Sequence, residues 1–273
     1  MSHQVDDFHE LRERLCLTGM LVTRTGLRIG SGGSGELDAV DLPVLRDAQR
    51  FPLIPGSSLK GVLRSTVESL VRGAALNKNT LLWACDPHSE GKNGERRSCG
   101  FFASGETKSV DSDSYCAVCR LFGSRRVASH VRFTDALIPK VDRGGRIPVE
   151  VRDGVAIDRD LRVASGTAKY DFEVVSPGTQ FELEIFVENP QDWLMGLLVM
   201  GLEQIAEGFS ALGGFTSRGL GRVDIHWSHM TRVHARELLA GGSPVTVEGS
   251  ALPNEFHTWR NALAKRAGLQ GGA

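Results

Sequence analysis

Four cysteines, Cys85, Cys99, Cys116 and Cys119, have the clearest ligand spacing in the chain. The last two bracket Ala-Val in a C-x-x-C knuckle, whose thiolates can hold one tetrahedral zinc. Cys85 and Cys99 would complete a four-sulfur set from a segment with little periodicity, so a structural Zn2+ would stand in for a missing core. His88 is an alternative ligand, and unrelated thiols or a redox C-x-x-C are the competing readings. Cys16, which alternates inward on an expected strand, reads as a small core residue.

A second chemistry is anion binding. The stretch FPLIPGSSLKGVLRS at 51–65 sets Pro55, Gly56, Ser57, Ser58 and Lys60 ahead of an amphipathic run, with Arg64 one turn beyond Lys60 on the same side. Small residues before a helix leave backbone N–H groups and the positive dipole end for an anion. This is not a nucleotide P-loop, because Gly61 follows Lys60 where that motif needs Ser or Thr after its G-K pair. A second stretch, GGFTSRGLGR at 213–222, combines Gly213, Gly214, Gly219 and Gly221 for close backbone approach with Arg218 and Arg222 to supply charge for phosphates. Taken alone, it is equally a helix C-cap with a tight turn. Asp38 and Asp41, in GELDAVDLPV, adjoin the basic turn. A carboxylate beside a phosphate and a ribose 2′-hydroxyl can transfer a proton or hold a hard cation such as Mg2+. Aspartate is also common in turns, and the same reading covers Asp47, while His130 and His226 read as structural or surface groups.

The elements that must position these residues follow from the periodicity. Residues 15–29 read as a strand leading into a glycine-rich loop. Ser57 or Ser58 can cap a helix in which Leu59, Val62, Leu63, Val67, Leu70 and Val71 recur at helical spacing. Residues 78–120 form a polar insertion, and Val127 to Ile138 returns to strand-like alternation. Residues 140–169 read as a projecting hairpin, in which Arg143, Arg146, Arg152, Arg159, Arg162 and Lys169 alternate with acidic residues. That pattern suits an ion-paired solvated face or a surface lying along a polyanion. FELEIFVE alternates strictly, as a strand with one wet face does. Asn189-Pro190 opens a second helix, GRVDIHW is a last strand, and the tail at 241–273 holds a short helix over Glu255 to Ala267. The order strand, helix, strand, insertion, strand, helix, strand fits an α+β sandwich of the ferredoxin-like kind, built as a single domain over 1–273.

With 32 Lys+Arg against 33 Asp+Glu the net charge is −1, which excludes a globally basic coat and confines any polyanion to a local patch. No apolar run approaches membrane-spanning length and MSHQVDDFHELRERL has no apolar leader core, so a cytoplasmic location and no membrane partner are expected.

Assembled, these residues resemble the RAMP superfamily, specifically the backbone subunit of type III CRISPR effector complexes. The carriers are TGLRIGSG, DLPVLRD, FPLIPGSSLKGVLRS, LFGS at 121–124, VAIDRDLRVASGTAKYDFEVVSPGT and GGFTSRGLGRV. The resemblance implies a modified ferredoxin-like (RRM-like) palm, a β-hairpin thumb, and copies or paralogues stacked with other effector subunits along one guide RNA. It implies that Ser57, Ser58, Lys60 and Arg64 grip guide-RNA backbone beside Gly213, Gly214, Ser217, Arg218 and Gly219, with Arg159 and Arg162 on the thumb. Asp41, followed by Leu-Pro-Val, matches the aspartate with which the family cuts complementary target RNA, and Asp38 is the fallback. Such cutting uses a divalent metal and attack by the target's own 2′-hydroxyl, with guide pairing supplying sequence specificity. The cysteine insertion is similar to the zinc knuckle of the III-D and III-E variants. A non-catalytic guide scaffold and a repeat-RNA processing endonuclease are the alternatives.

Overall fold

Strand β1 (Glu13–Thr23) alternates as ERLCLTGMLVT, which sends Leu15, Leu17, Leu21 and Thr23 to one face and leaves Cys16 and Thr18 half-buried on the other. Cys16 is therefore not a core residue. Its thiol lies 3.7 Å from the Thr18 hydroxyl, and burial raises its pKa. The computed structural model describes residues 10–31, 40–74, 82–90, 98–101, 115–157, 160 and 164–269, so the readings placed on Asp38, Arg159 and Arg162 lie outside the described residues.

After β1 come β2 (Leu53–Ile54), helix α1 (Gly56–Gly73), helix α2 (Ala117–Phe122), β3 (Val131–Phe133) and β4 (Ala136–Leu137). They are followed by β5 (Val149–Ile157), β6 (Ala164–Val175), β7 (Gln180–Glu188), α3 (Asp192–Ala206), β8 (Val223–His234), α4 (Ala235–Leu239), β9 (Val245–Glu248) and α5 (Leu252–Ala267). The main sheet runs β2-β4-β7-β1-β8-β9 with β3 also on β7, and all its pairs are antiparallel. Its central strands and two helices follow the order β1-α1-β4-β7-α3-β8, with β1 between β7 and β8. This is a ferredoxin-like α+β fold. β5 and β6 form a separate two-stranded antiparallel sheet.

Helix α1 buries Leu59, Leu63, Val67 and Val71, a stripe of i, i+4 neighbours, and burial of each such side chain contributes about 1.5–3 kcal/mol. Helix α3 is apolar nearly all round because it is covered on more than one side. Gly201 faces Leu63 and Val67 of α1, and Gly196 lies against the Trp259 backbone of α5. Helix α5 starts three residues earlier than the expected Glu255 and fully buries Trp259, so residues 245–267 extend the sheet and complete the helical layer.

The turn before β2 depends on Asp47. Its carboxylate accepts hydrogen bonds from the Gln49 and Phe51 N–H groups, both at 2.9 Å, and pairs with Arg143 at 2.8 Å. Asp47 thus locks a turn to the root of the β5–β6 hairpin, which is a structural role. We expect Asp47→Ala to cost about 2 kcal/mol in denaturant unfolding and Asp47→Asn, which keeps the turn acceptors, distinctly less. Equal stability of Asp47→Ala and the native chain would contradict this role.

Candidate functional site

The loop bearing Asp41 is held from two sides. Between β1 and β2, residues 42–45 run extended between residues 29–31 and β6. Leu45 N–H donates to the Ile29 carbonyl (2.8 Å) and Ser31 N–H to that of Pro43 (3.2 Å). On the other side Leu42 N–H donates to the Asp171 carbonyl and Glu173 N–H to that of Leu42, each at 3.1 Å. At the head of this piece the Asp41 carboxylate accepts the Asp171 N–H at 3.0 Å and is otherwise exposed. Asp153 and Asp171 face each other in the β5–β6 register. The Asp171 carboxyl is pushed up, first by its hydrogen bond with Asp153 and further by the charges of Asp153 and Asp41. Three carboxylates therefore share one side of the hairpin base, where Lys169 pairs with Asp153 at 3.3 Å.

The glycine loop packs against the same strand. Gly213 (φ 77°) lies where a Cβ would sit 2.2 Å from the Arg28 carbonyl oxygen, and Gly221 (φ 90°) where one would sit 2.1 Å from that of Leu212. No other residue fits this approach. Gly214 N–H donates to the Arg28 carbonyl at 2.8 Å. Phe215, itself left-handed at φ 59°, is flanked by the guanidinium groups of Arg28 and Arg218, 5.0 and 4.8 Å from its ring centroid. Arg218 also donates to the Tyr170 hydroxyl at 2.6 Å. Phe215 and Leu42 both pack into the small cluster of Phe172, Val174 and Leu220, so the Asp41 loop and the glycine loop meet on β6. Ser217, Arg218 and Gly219 are exposed. Arg28 was not singled out in the sequence. It lies inside the quoted TGLRIGSG, but its place becomes visible only when Phe215 folds beside it.

The IPGSSLKG turn has other partners. Pro55 is the N-cap and neither serine caps the helix. The Gly56 N–H instead donates to Asp135 at 2.9 Å, because a Cβ at Gly56 would lie 2.3 Å from the Phe133 carbonyl oxygen and the chain can pass there only as glycine. Ser57 is exposed and Ser58 half-buried. Lys60 donates to the Ser129 hydroxyl at 3.2 Å, and its ammonium is lowered in pKa by desolvation and then by the charge of Arg64. Arg64 does not face the mouth of the turn as its spacing suggests. It bonds Glu68 (2.9 Å), the Gly123 carbonyl (2.8 Å) and Cys119 Sγ (3.4 Å). Among the described residues no hydrogen bond joins this turn to the glycine loop.

The cysteines converge. All four are buried, and their sulfurs lie within 4.8 Å of one another, with Cys85 and Cys119 at 3.6 Å. A tetrahedron of about 2.3 Å zinc–sulfur bonds separates its sulfurs by about 3.8 Å, so the set could hold a metal such as zinc. Cys116 opens α2 and receives the Cys119 N–H (3.3 Å), while Cys99 receives the Cys116 N–H (3.2 Å), the amide-to-sulfur bonding that steadies thiolates. Hydrogen bonds from Cys116 and Cys119 hold the Cys85 thiol far down in pKa, and hydrogen bonds with Cys116, Cys85 and Cys99 push that of Cys119 far up. The four cannot all ionise without a cation between them. His88 stands exposed outside the cluster, lining a cleft of about 460 Å3 with Arg64 and Arg125.

Among the described residues no helix is long and apolar enough to cross a membrane. Two comparisons bear on this geometry. The family model described as the RAMP superfamily matches residues 20–224. The chain is also similar to proteins named CRISPR system Cms endoribonuclease Csm3. It is 29% identical to that of Mycobacterium tuberculosis over 231 residues, covering 76% of this chain and 84% of the relative. It is 27% identical to that of Methanocaldococcus jannaschii over 226 residues, covering 78% and 79%. Against that of Streptococcus thermophilus it is 27% identical over 217 residues, covering 73% and 81%.

Proposed function

This chain belongs to the RAMP superfamily, and we propose that it is the guide-RNA-binding backbone subunit of a type III CRISPR effector complex that cuts complementary RNA through Asp41. The observation that carries the reading is the meeting of the Asp41 loop and the glycine loop on β6, in a chain whose named relatives are endoribonucleases along most of their length. Arg28, Arg218 and Ser217 bind guide phosphates, Gly213, Gly214 and Gly219 let the RNA backbone approach closely, and Ser57, Ser58 and Lys60 form a second contact at the start of α1. Such contacts position the RNA without reading its bases. Arg64 supports this surface indirectly by joining α1 to the cysteine cluster. The β5–β6 hairpin, with Arg159 and Arg162, is the thumb that separates target nucleotides. The low net charge fits a narrow groove within a cytoplasmic assembly of effector subunits and further copies or paralogues.

In the reaction the target's own 2′-hydroxyl attacks the adjacent phosphorus. The P–O2′ bond forms, the P–O5′ bond breaks, the leaving 5′-oxygen takes a proton from solvent water, and the products are a 2′,3′-cyclic phosphate and a 5′-hydroxyl. Asp41 orients that hydroxyl and accepts its proton, and the Asp171 N–H fixes which carboxylate oxygen is free to do so. Asp41 and Asp171 are the oxygen donors that would hold a divalent cation such as Mg2+, a set suited to a hard ion. The cation would supply charge stabilisation at the phosphate. Zn2+, on Cys85, Cys99, Cys116 and Cys119, is structural.

The test uses the guide-loaded assembly containing this chain. Regularly spaced cuts in complementary RNA with Mg2+, none in a chelator and none in non-complementary RNA are expected. Metal-independent cutting of repeat RNA would make the chain a processing endonuclease, and tight binding of intact target would make it a scaffold.

A further inference from the structure

Glu173 stands on β6 two residues after Asp171, with its side chain 13% exposed. One carboxylate oxygen accepts the N–H of buried Val44 at 2.9 Å, and the other accepts from Arg46 at 2.8 Å. Arg46 in turn donates to the Arg50 carbonyl at 2.9 Å, closing the turn in which the loop ends. The backbone ladder between this loop and β6 covers only Leu42, through Asp171 and Glu173. Beyond Leu42, Pro43 has no N–H to donate, and Val44 is the next residue that could continue the ladder. Its amide is out of reach of a β6 carbonyl, and the Glu173 side chain takes the place of the missing rung. The Asp41 loop is therefore tied to β6 at its head by the Asp171 amide and at its foot by the Glu173 carboxylate. Hydrogen bonds to residues 29–31 hold the piece along its other edge, so the Glu173 tie sets its spacing from β6 and not whether the loop stays in place.

We infer that Glu173 is a positioning residue for Asp41, setting the distance of its carboxylate from the scissile phosphate without touching RNA. The inference rests on the reading of Asp41 as the cutting group. It assigns β6 a double task, since Tyr170 and Phe172 seat the glycine loop while Asp171 and Glu173 seat the cutting loop. The guide-gripping and cutting elements are then referenced to one strand.

Displacement of a reacting group by about 1 Å costs on the order of 100-fold in rate. In the guide-loaded assembly, Glu173→Ala should lower the single-turnover cutting rate by about 10- to 100-fold while target affinity stays within about twofold. Glu173→Gln keeps an acceptor for Val44 and should recover most of that loss, and Arg46→Ala should fall between the two. Amide hydrogen exchange over residues 41–46 should speed up in Glu173→Ala and not in Glu173→Gln, a readout independent of cutting. A merely structural role would lower affinity and assembly together, with no rescue by glutamine. Undiminished cutting by Glu173→Ala, with cuts lost in Asp41→Ala, would overturn the inference and leave the reading of Asp41 standing. Cuts that persist in Asp41→Ala would overturn both. Should Glu173→Ala fail to assemble, Glu173→Gln and Arg46→Ala decide the question: equal, wild-type rates in both would contradict the clamp.

Discussion

Cys119→Ala should abolish zinc binding by the four-cysteine cluster and unseat the segment around α2 from α1. The expectation follows from how little else holds that segment. Every residue of α2 is buried, and among the described residues from 82 to 116 the core takes Leu82, Tyr115 and the three cysteines Cys85, Cys99 and Cys116, with Trp83 and Ala84 packed against it. Its links to α1 converge on the cluster, with Arg64 on Cys119 Sγ and the Gly123 carbonyl, and Arg72 on the Cys85 carbonyl. Structural zinc supplies about 10–16 kcal/mol of apparent binding free energy in small zinc-folded peptides, so its loss should be the largest stability change a single substitution makes here. We expect about one zinc per native chain by elemental analysis and close to none in Cys119→Ala. Chelator should lower the native melting temperature and leave that of the variant unchanged. A native chain purified without zinc, and indifferent to chelator, would refute the structural metal.

The cysteine cluster was legible because C-x-x-C spacing is a local property and two further thiols in a coreless segment have few other uses. The ferredoxin-like order was legible for a similar reason: FELEIFVE and the Leu59 to Val71 stripe report period two and period 3.6 within one element each. What spacing could not show was competition between partners. Lys60 and Arg64 share a helix face, but a buried sulfur cluster and a free carbonyl attract the guanidinium more strongly than open solvent does. Ser57 and Ser58 looked like caps, but Asp135, remote in sequence, reaches the first helical N–H instead. Arg28 and Glu173 were missed for the same reason, since each acquires its role from a strand or loop that comes near only in the fold.

Asp41→Ala should reduce single-turnover cutting of complementary RNA by about 1,000-fold, within the 100- to 10,000-fold range that a positioned general base contributes. Target affinity should be unchanged, because the Asp41 carboxylate is exposed, lies at the head of its loop and takes only one described hydrogen bond, from the Asp171 amide. The loop itself is retained by Leu42, Val44 and Glu173, so the variant removes chemistry without removing structure. The measurement that tests the account most directly maps cuts in a labelled target bound to the guide-loaded assembly with Mg2+, native chain against Asp41→Ala. The regularly spaced cuts should vanish while the target stays bound. Cuts at the same positions and rate in the variant would contradict it and move the chemistry away from Asp41.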